Sequence, residues 1–166
     1  MKAFFGILLF VAWSAWVAYC DVRHRRIPNS FVVAGLATAL ACALIQCGPF
    51  DVSLVQALLG ASIGLAALLP FFALGVMGAA DVKIFAVLGA WCGMRALPGL
   101  WMAASLAAGA HALWLLLSTR TPLASLGRRG GATFELAGKT STPYAACLTV
   151  AASGWLGVVT LAGGVR

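Results

Sequence analysis

Four acids stand in a chain of 166 residues: Asp21, Asp51, Asp81 and Glu135. Two carboxyls brought face to face have a definite chemistry. Like charges at close range resist ionising together, so one carboxyl keeps its proton while the other acts as a base. One then activates water and the other protonates or hydrogen-bonds a scissile carbonyl, which is the logic of aspartic peptidases. The question is which of the four acids the chain can bring together.

The elements that would position them are membrane helices. The sequence is 63% hydrophobic and 9% charged, with a mean hydropathy of +1.01. One small core cannot hide that much apolar surface, whereas a bilayer tolerates it. In lipid, backbone groups must be satisfied within helices or a closed barrel, and the Leu/Ala/Val/Gly runs lack the alternation of barrel strands. An all-α, polytopic fold is predicted. The net charge of +7 is carried by short loops between apolar runs, as topology determinants are, and no soluble basic face is left for nucleic acid.

Apolar runs fall near 3–20, 30–47, 54–77, 84–94, 96–117 and 145–162. Most approach the ~20 residues that cross a bilayer. The fourth, bracketed by Lys83 and Arg95, is about half that length. It reads as a short crossing helix, a re-entrant turn or an extension of the fifth run. Charge favours crossing. With six crossings and the first loop cytoplasmic, Arg23, Arg25, Arg26, Lys83, Arg120, Arg128, Arg129 and Lys139 lie inside, against Lys2, Arg95 and Arg166 outside. About six transmembrane helices are therefore expected, with both termini outside and a short fourth helix that is tilted or borders a thinned or water-accessible region. The whole chain, 1–166, reads as a single transmembrane domain, with a polar loop at 118–143 in which little regular structure is expected. Lys2 and the first apolar run imitate a secretory signal, but Arg23, His24, Arg25 and Arg26 follow the run, so it reads as a retained helix.

Parity now sorts the acids. One crossing precedes Asp21 and three precede Asp81, which puts both at the cytoplasmic edge, while Asp51 lies on the opposite side. A carboxylate at a membrane edge is costly to desolvate and points to function. No Ser/His or Cys/His set on that face competes as clearly. The bland alternative is interfacial ion pairing of Asp21 with Arg23 or Arg25, and of Asp81 with Lys83, which contributes little. The five cysteines (Cys20, Cys42, Cys47, Cys92, Cys147) show no C-x-x-C pairing, so no zinc module is indicated. They read as buried thiols, with a disulfide between Cys47 and Cys92 left open because both fall near the outer face.

The flanking residues favour catalysis. The first aspartate opens Asp21-Val-Arg-His-Arg-Arg-Ile-Pro-Asn29, where Pro28 ends one helix and Asn29-Ser30 offers a cap for the next. The second closes Gly78-Ala-Ala-Asp81-Val-Lys83, whose small residues permit close approach. Together they resemble the two signatures of the type IV prepilin peptidases, D-x-R-x-x-x-I-P-N and G-x-G-D-x-K, the GxGD class of aspartic peptidases. Thr142-Pro143-Tyr144 resembles that family's Pro-Tyr start of the final helix. Ala80 stands where the family has glycine.

The resemblance implies that Asp21 and Asp81 are the catalytic pair, with Arg23, Asn29 and Lys83 as motif neighbours of unassigned role. It implies a multi-pass protein of the bacterial inner membrane that cuts prepilins, each with a basic leader and an apolar helix, after a glycine at the cytoplasmic face. Neither metal nor organic cofactor is implied. Longer members carry a C-x-x-C insertion and an N-methyltransferase activity; the few residues between the first motif and the next run leave no room for it. The chain thus resembles the short, peptidase-only branch associated with tight-adherence (Flp-type) pili. Other classes weighed against this are a proton- or ion-conducting protein, which would want polar residues continuing across the membrane, and a non-catalytic subunit of a pilus or secretion assembly. Blander expectations attach to His111 (a hydrogen bond to a neighbouring helix), Glu135 (a solvated loop charge, although it shares the face of Asp21 and Asp81), Trp91 (an interfacial anchor) and Gly60-Ala-Ser-Ile-Gly64 (a close helix contact).

Overall fold

The computed structural model describes residues 2–24, 26–119, 135–136, 139–140 and 143–161. Within them the chain forms α1 (Lys2–His24), α2 (Asn29–Leu44), α3 (Leu54–Ala73), α4 (Ala79–Cys92), α5 (Leu97–Thr119) and α6 (Tyr144–Leu161). Two-residue strands β1 (Glu135–Leu136) and β2 (Lys139–Thr140) pair antiparallel, so this part of the 118–143 loop is more regular than expected. Most of that loop lies outside the described residues.

The protein is an all-α, polytopic membrane protein. Phe4–His24, Leu54–Ala73 and Tyr144–Leu161 are each long and apolar enough to cross a bilayer, and α2 is a shorter apolar helix. Exposed Phe4, Leu8, Val55, Leu58 and Val158 line the outside of these helices, as lipid-facing side chains must. α3 starts sharply on a capping box: Gln56 N–H donates to Ser53 Oγ at 3.3 Å, and Ser53 N–H donates to Gln56 Oε1 at 3.1 Å.

The fourth helix is the centre of the bundle. Beyond Asp81 and Lys83 it is apolar all round, and Val82, Ile84, Phe85, Val87, Leu88, Ala90 and Trp91 are buried as it packs against α2, α3, α5 and α6. Its 14 residues span only about 21 Å, short of a ~30 Å hydrocarbon layer. Enclosure by longer helices explains how so short a helix is accommodated. It is not an extension of α5, because Gly93 adopts φ 75° and a turn intervenes before Leu97. α4 runs antiparallel to α3, with Gly89 against Gly60 and Phe85–Ala86 against Gly64. A Cβ on Gly60 or Gly89 would collide with the other helix's backbone, so the expected close contact at Gly60–Gly64 is present.

At the end of α4 remote from Asp81, Trp91 is 2% exposed and meets Phe10 edge-on at 5.4 Å; Phe10 in turn meets Phe50. Trp91 is therefore a core residue and not an interfacial anchor. All five cysteines are free, so no Cys47–Cys92 disulfide forms. Cys47 is instead a neighbour of Cys42: its N–H donates to Cys42 O at 3.0 Å, and the two thiols are hydrogen-bonded. His111 Nδ1 is buried and, among the described residues, has no partner.

Candidate active site

Three helix ends converge at the other end of the bundle. Asp21 lies in the last turn of α1 and is 7% exposed. A carboxylate there faces the unfavourable, negative end of its own helix dipole. The compensation comes from α6: the N–H of Ala146 donates to Asp21 Oδ2 at 2.8 Å, in a buried bond spanning 125 residues of sequence. The amide belongs to the first turn of α6, whose N–H groups have no partners within the helix and carry its positive dipole end. Pro143 precedes this turn, and its carbonyl accepts from Cys147 N–H at 3.3 Å.

Asp81 lies in the first turn of α4, three residues after the cap residue Gly78. Its carboxyl accepts from the Gly78 amide and takes a second backbone bond from Ala145. Asp21 and Asp81 thus sit on neighbouring amides of one helical turn, Ala146 and Ala145, and interact electrostatically with each other. Asp21 and Asp81, two of the three acids that parity groups on one face, are brought together; Asp51 is not with them, lying in the turn between α2 and α3 with φ 50°.

A side chain at Gly78 would press on the carboxyl of Asp81. A Cβ there would sit 3.1 Å from Asp81 Oδ2, tighter than such contacts ordinarily are. Ala80, in contrast, is an ordinary helical residue, and the positive-φ residues other than glycine are Gln46 and Asp51. The methyl group that departs from the G-x-G-D pattern is compatible with the backbone that aims Asp81.

Two side chains of α6 complete the surroundings. The Tyr144 hydroxyl and Ser105 Oγ of α5 are hydrogen-bonded at 3.0 Å, and Tyr144 feels the charge of Asp81. Cys147, partly exposed, feels both aspartates. The motif neighbours are placed differently from the bland expectation. Lys83, the ion-pair partner weighed for Asp81, donates from Nζ to Asn29 Oδ1 at 2.9 Å. Asn29 does not cap α2; Pro28 holds the cap position without a side-chain bond, and Asn29 is the first helical residue. Arg23 is exposed and Arg25 lies outside the described residues. No group of three or more His, Cys, Asp or Glu among the described residues could hold a metal ion.

Residues 8–113, well over half of the chain and including both aspartates, match the type IV leader peptidase family. The chain belongs to that family. No curated protein and no solved structure matches it. A type IV leader peptidase is a membrane hydrolase of peptide bonds, and a close carboxyl pair at a bundle end is suited to that reaction. Sequence reading overlooked the part that α6 plays in this peptidase. The Ala145 and Ala146 amides have no side-chain signature; only the Thr142-Pro143-Tyr144 start of the helix pointed towards them.

Proposed function

We propose that the protein is an aspartic endopeptidase of the bacterial inner membrane that removes the leader of type IV, Flp-like prepilins at the cytoplasmic face. Asp21 and Asp81 are its catalytic pair, and residues 1–166 act as one peptidase domain. The observation that carries this reading is the seating of both carboxyls on adjacent α6 amides, close enough to interact.

With one proton shared by the pair, the ionised carboxyl takes a proton from water as its oxygen attacks the scissile carbonyl carbon. The protonated partner donates to the carbonyl oxygen, giving a neutral tetrahedral diol. Collapse breaks the C–N bond, the departing amine takes a proton from one carboxyl, and a diol hydroxyl returns a proton to the other. Pair and proton count are then as they began. The α6 amides hold both carboxyls in place throughout, so no reorganisation is required of them. A basic leader suits an acidic pair, and the substrate's apolar helix would lie in the bilayer beside the bundle.

The test is co-expression with a tagged Flp-type prepilin. Wild type should yield a shortened pilin whose new N-terminus follows the leader glycine, whereas Asp21→Asn and Asp81→Asn should leave it full length. Cleavage that survives both substitutions would remove the aspartic mechanism.

A further inference from the structure

Asn29 and Lys83 are exposed or partly exposed polar residues outside the carboxyl pair, yet they bond to each other across 54 residues of sequence. The bond joins the first residue of α2 to α4, two residues beyond Asp81. The same first turn of α2 has a second tie, because Trp13 Nε1 of α1 donates to Phe31 O at 3.0 Å. Gly35, one turn on, leaves room for that indole, which a Cβ would strike. The helix carrying Asp21 is thus tied to the start of α2, and the start of α2 is tied to the helix carrying Asp81. Apart from Phe10 against Trp91 at the far end, α1 and α4 have few direct contacts; α1 packs chiefly on α6 and to a lesser extent on α2.

An exposed hydrogen bond of this kind adds little to the stability of a bundle held by apolar packing. Its effect is geometric. Misplacing a reacting group by about 1 Å can cost about 10²-fold in rate. We propose that the Lys83–Asn29 bond is a latch that sets the spacing of the two carboxyls through the first turn of α2, which makes both residues positioning residues. This inference rests on the aspartic reading above.

Lys83→Met and Asn29→Ala should each lower kcat about tenfold. KM should stay within about twofold, because uniform binding is untouched. The double variant should be no worse than either single one, since one bond is lost in all three. Asn29→Asp, which keeps the acceptor, should restore most of the rate. A rise in KM with additive losses would mean that Lys83 touches substrate, and would overturn the latch. Unchanged kcat in Lys83→Met would overturn it equally. A readout independent of catalysis uses Cys147→Ala protein carrying Asn29→Cys and Lys83→Cys, treated with a short bifunctional thiol reagent. Cross-linking should occur in native membranes, and its absence would refute the contact. Failure of the aspartic reading looks different: Asp21→Asn would then cleave normally while the cross-link still formed.

Discussion

The N–H of Ala146 donates to Asp21 at 2.8 Å, although the two residues lie at opposite ends of the chain. Asp81 accepts from the adjoining residue, Ala145. The first turn of α6 is thereby a common seat for two carboxyls that arrive on different helices. It explains how Asp21 is tolerated, nearly fully buried, at the negative end of α1. It also places the two acids side by side, where their protonation states depend on each other.

Gly78 and Ala80 should respond in opposite ways. Gly78→Ala brings a methyl group to within 3.1 Å of Asp81 Oδ2, and so should displace the carboxyl. Its kcat should fall roughly ten- to a hundredfold. Ala80→Gly restores the family's usual residue at a position that is already helical. It should cost ~0.5–1 kcal/mol of stability by loosening the first turn of α4. Its activity should stay close to that of wild type. Steady-state cleavage of a leader-containing peptide and thermal unfolding, compared for both variants, check this.

Cys147 offers a chemical probe of the same place. It is the one partly exposed thiol, the other four being buried, and it feels both aspartates. A bulky maleimide should inactivate the enzyme, and Cys147→Ala should be active and resistant. Mass spectrometry of the labelled protein locates the adduct, and adduct at Cys147 with full activity would separate it from the site.

The pair should impose a bell-shaped pH profile. In the proposed mechanism the pair works with one proton on two carboxyls, so kcat/KM should rise as the pair loses its first proton and fall as it loses the second. The two apparent ionisations belong to the pair jointly. A profile with a single ionisation would indicate that the carboxyls titrate apart.

Much of this architecture is legible in the residues themselves. The six apolar runs correspond to α1–α6; crossing parity groups Asp21, Asp81 and Glu135 and sets Asp51 apart, and only the motifs around Asp21 and Asp81 single out that pair. What escapes the sequence is what depends on enclosure and on the backbone. Trp91 near the end of an apolar run looks the same whether lipid or Phe10 covers it; only the central position of α4 decides for the core. Asn29 after Pro28 looks like a helix cap until Lys83 is seen to occupy its oxygen. The Ala145 and Ala146 amides are hidden most completely, because every residue but proline carries the same group.

In the proposed mechanism Asp21 and Asp81 act as one unit. Its most direct test is the cleavage rate of purified, membrane-reconstituted protein with Asp21→Asn, Asp81→Asn and both together. Each single variant should lose about 10²–10⁴-fold in kcat. The double variant should lose no more than the worse single one, because groups that act together fail together. Losses that multiply in the double variant, or a single variant that cleaves at the wild-type rate, would contradict a shared catalytic pair.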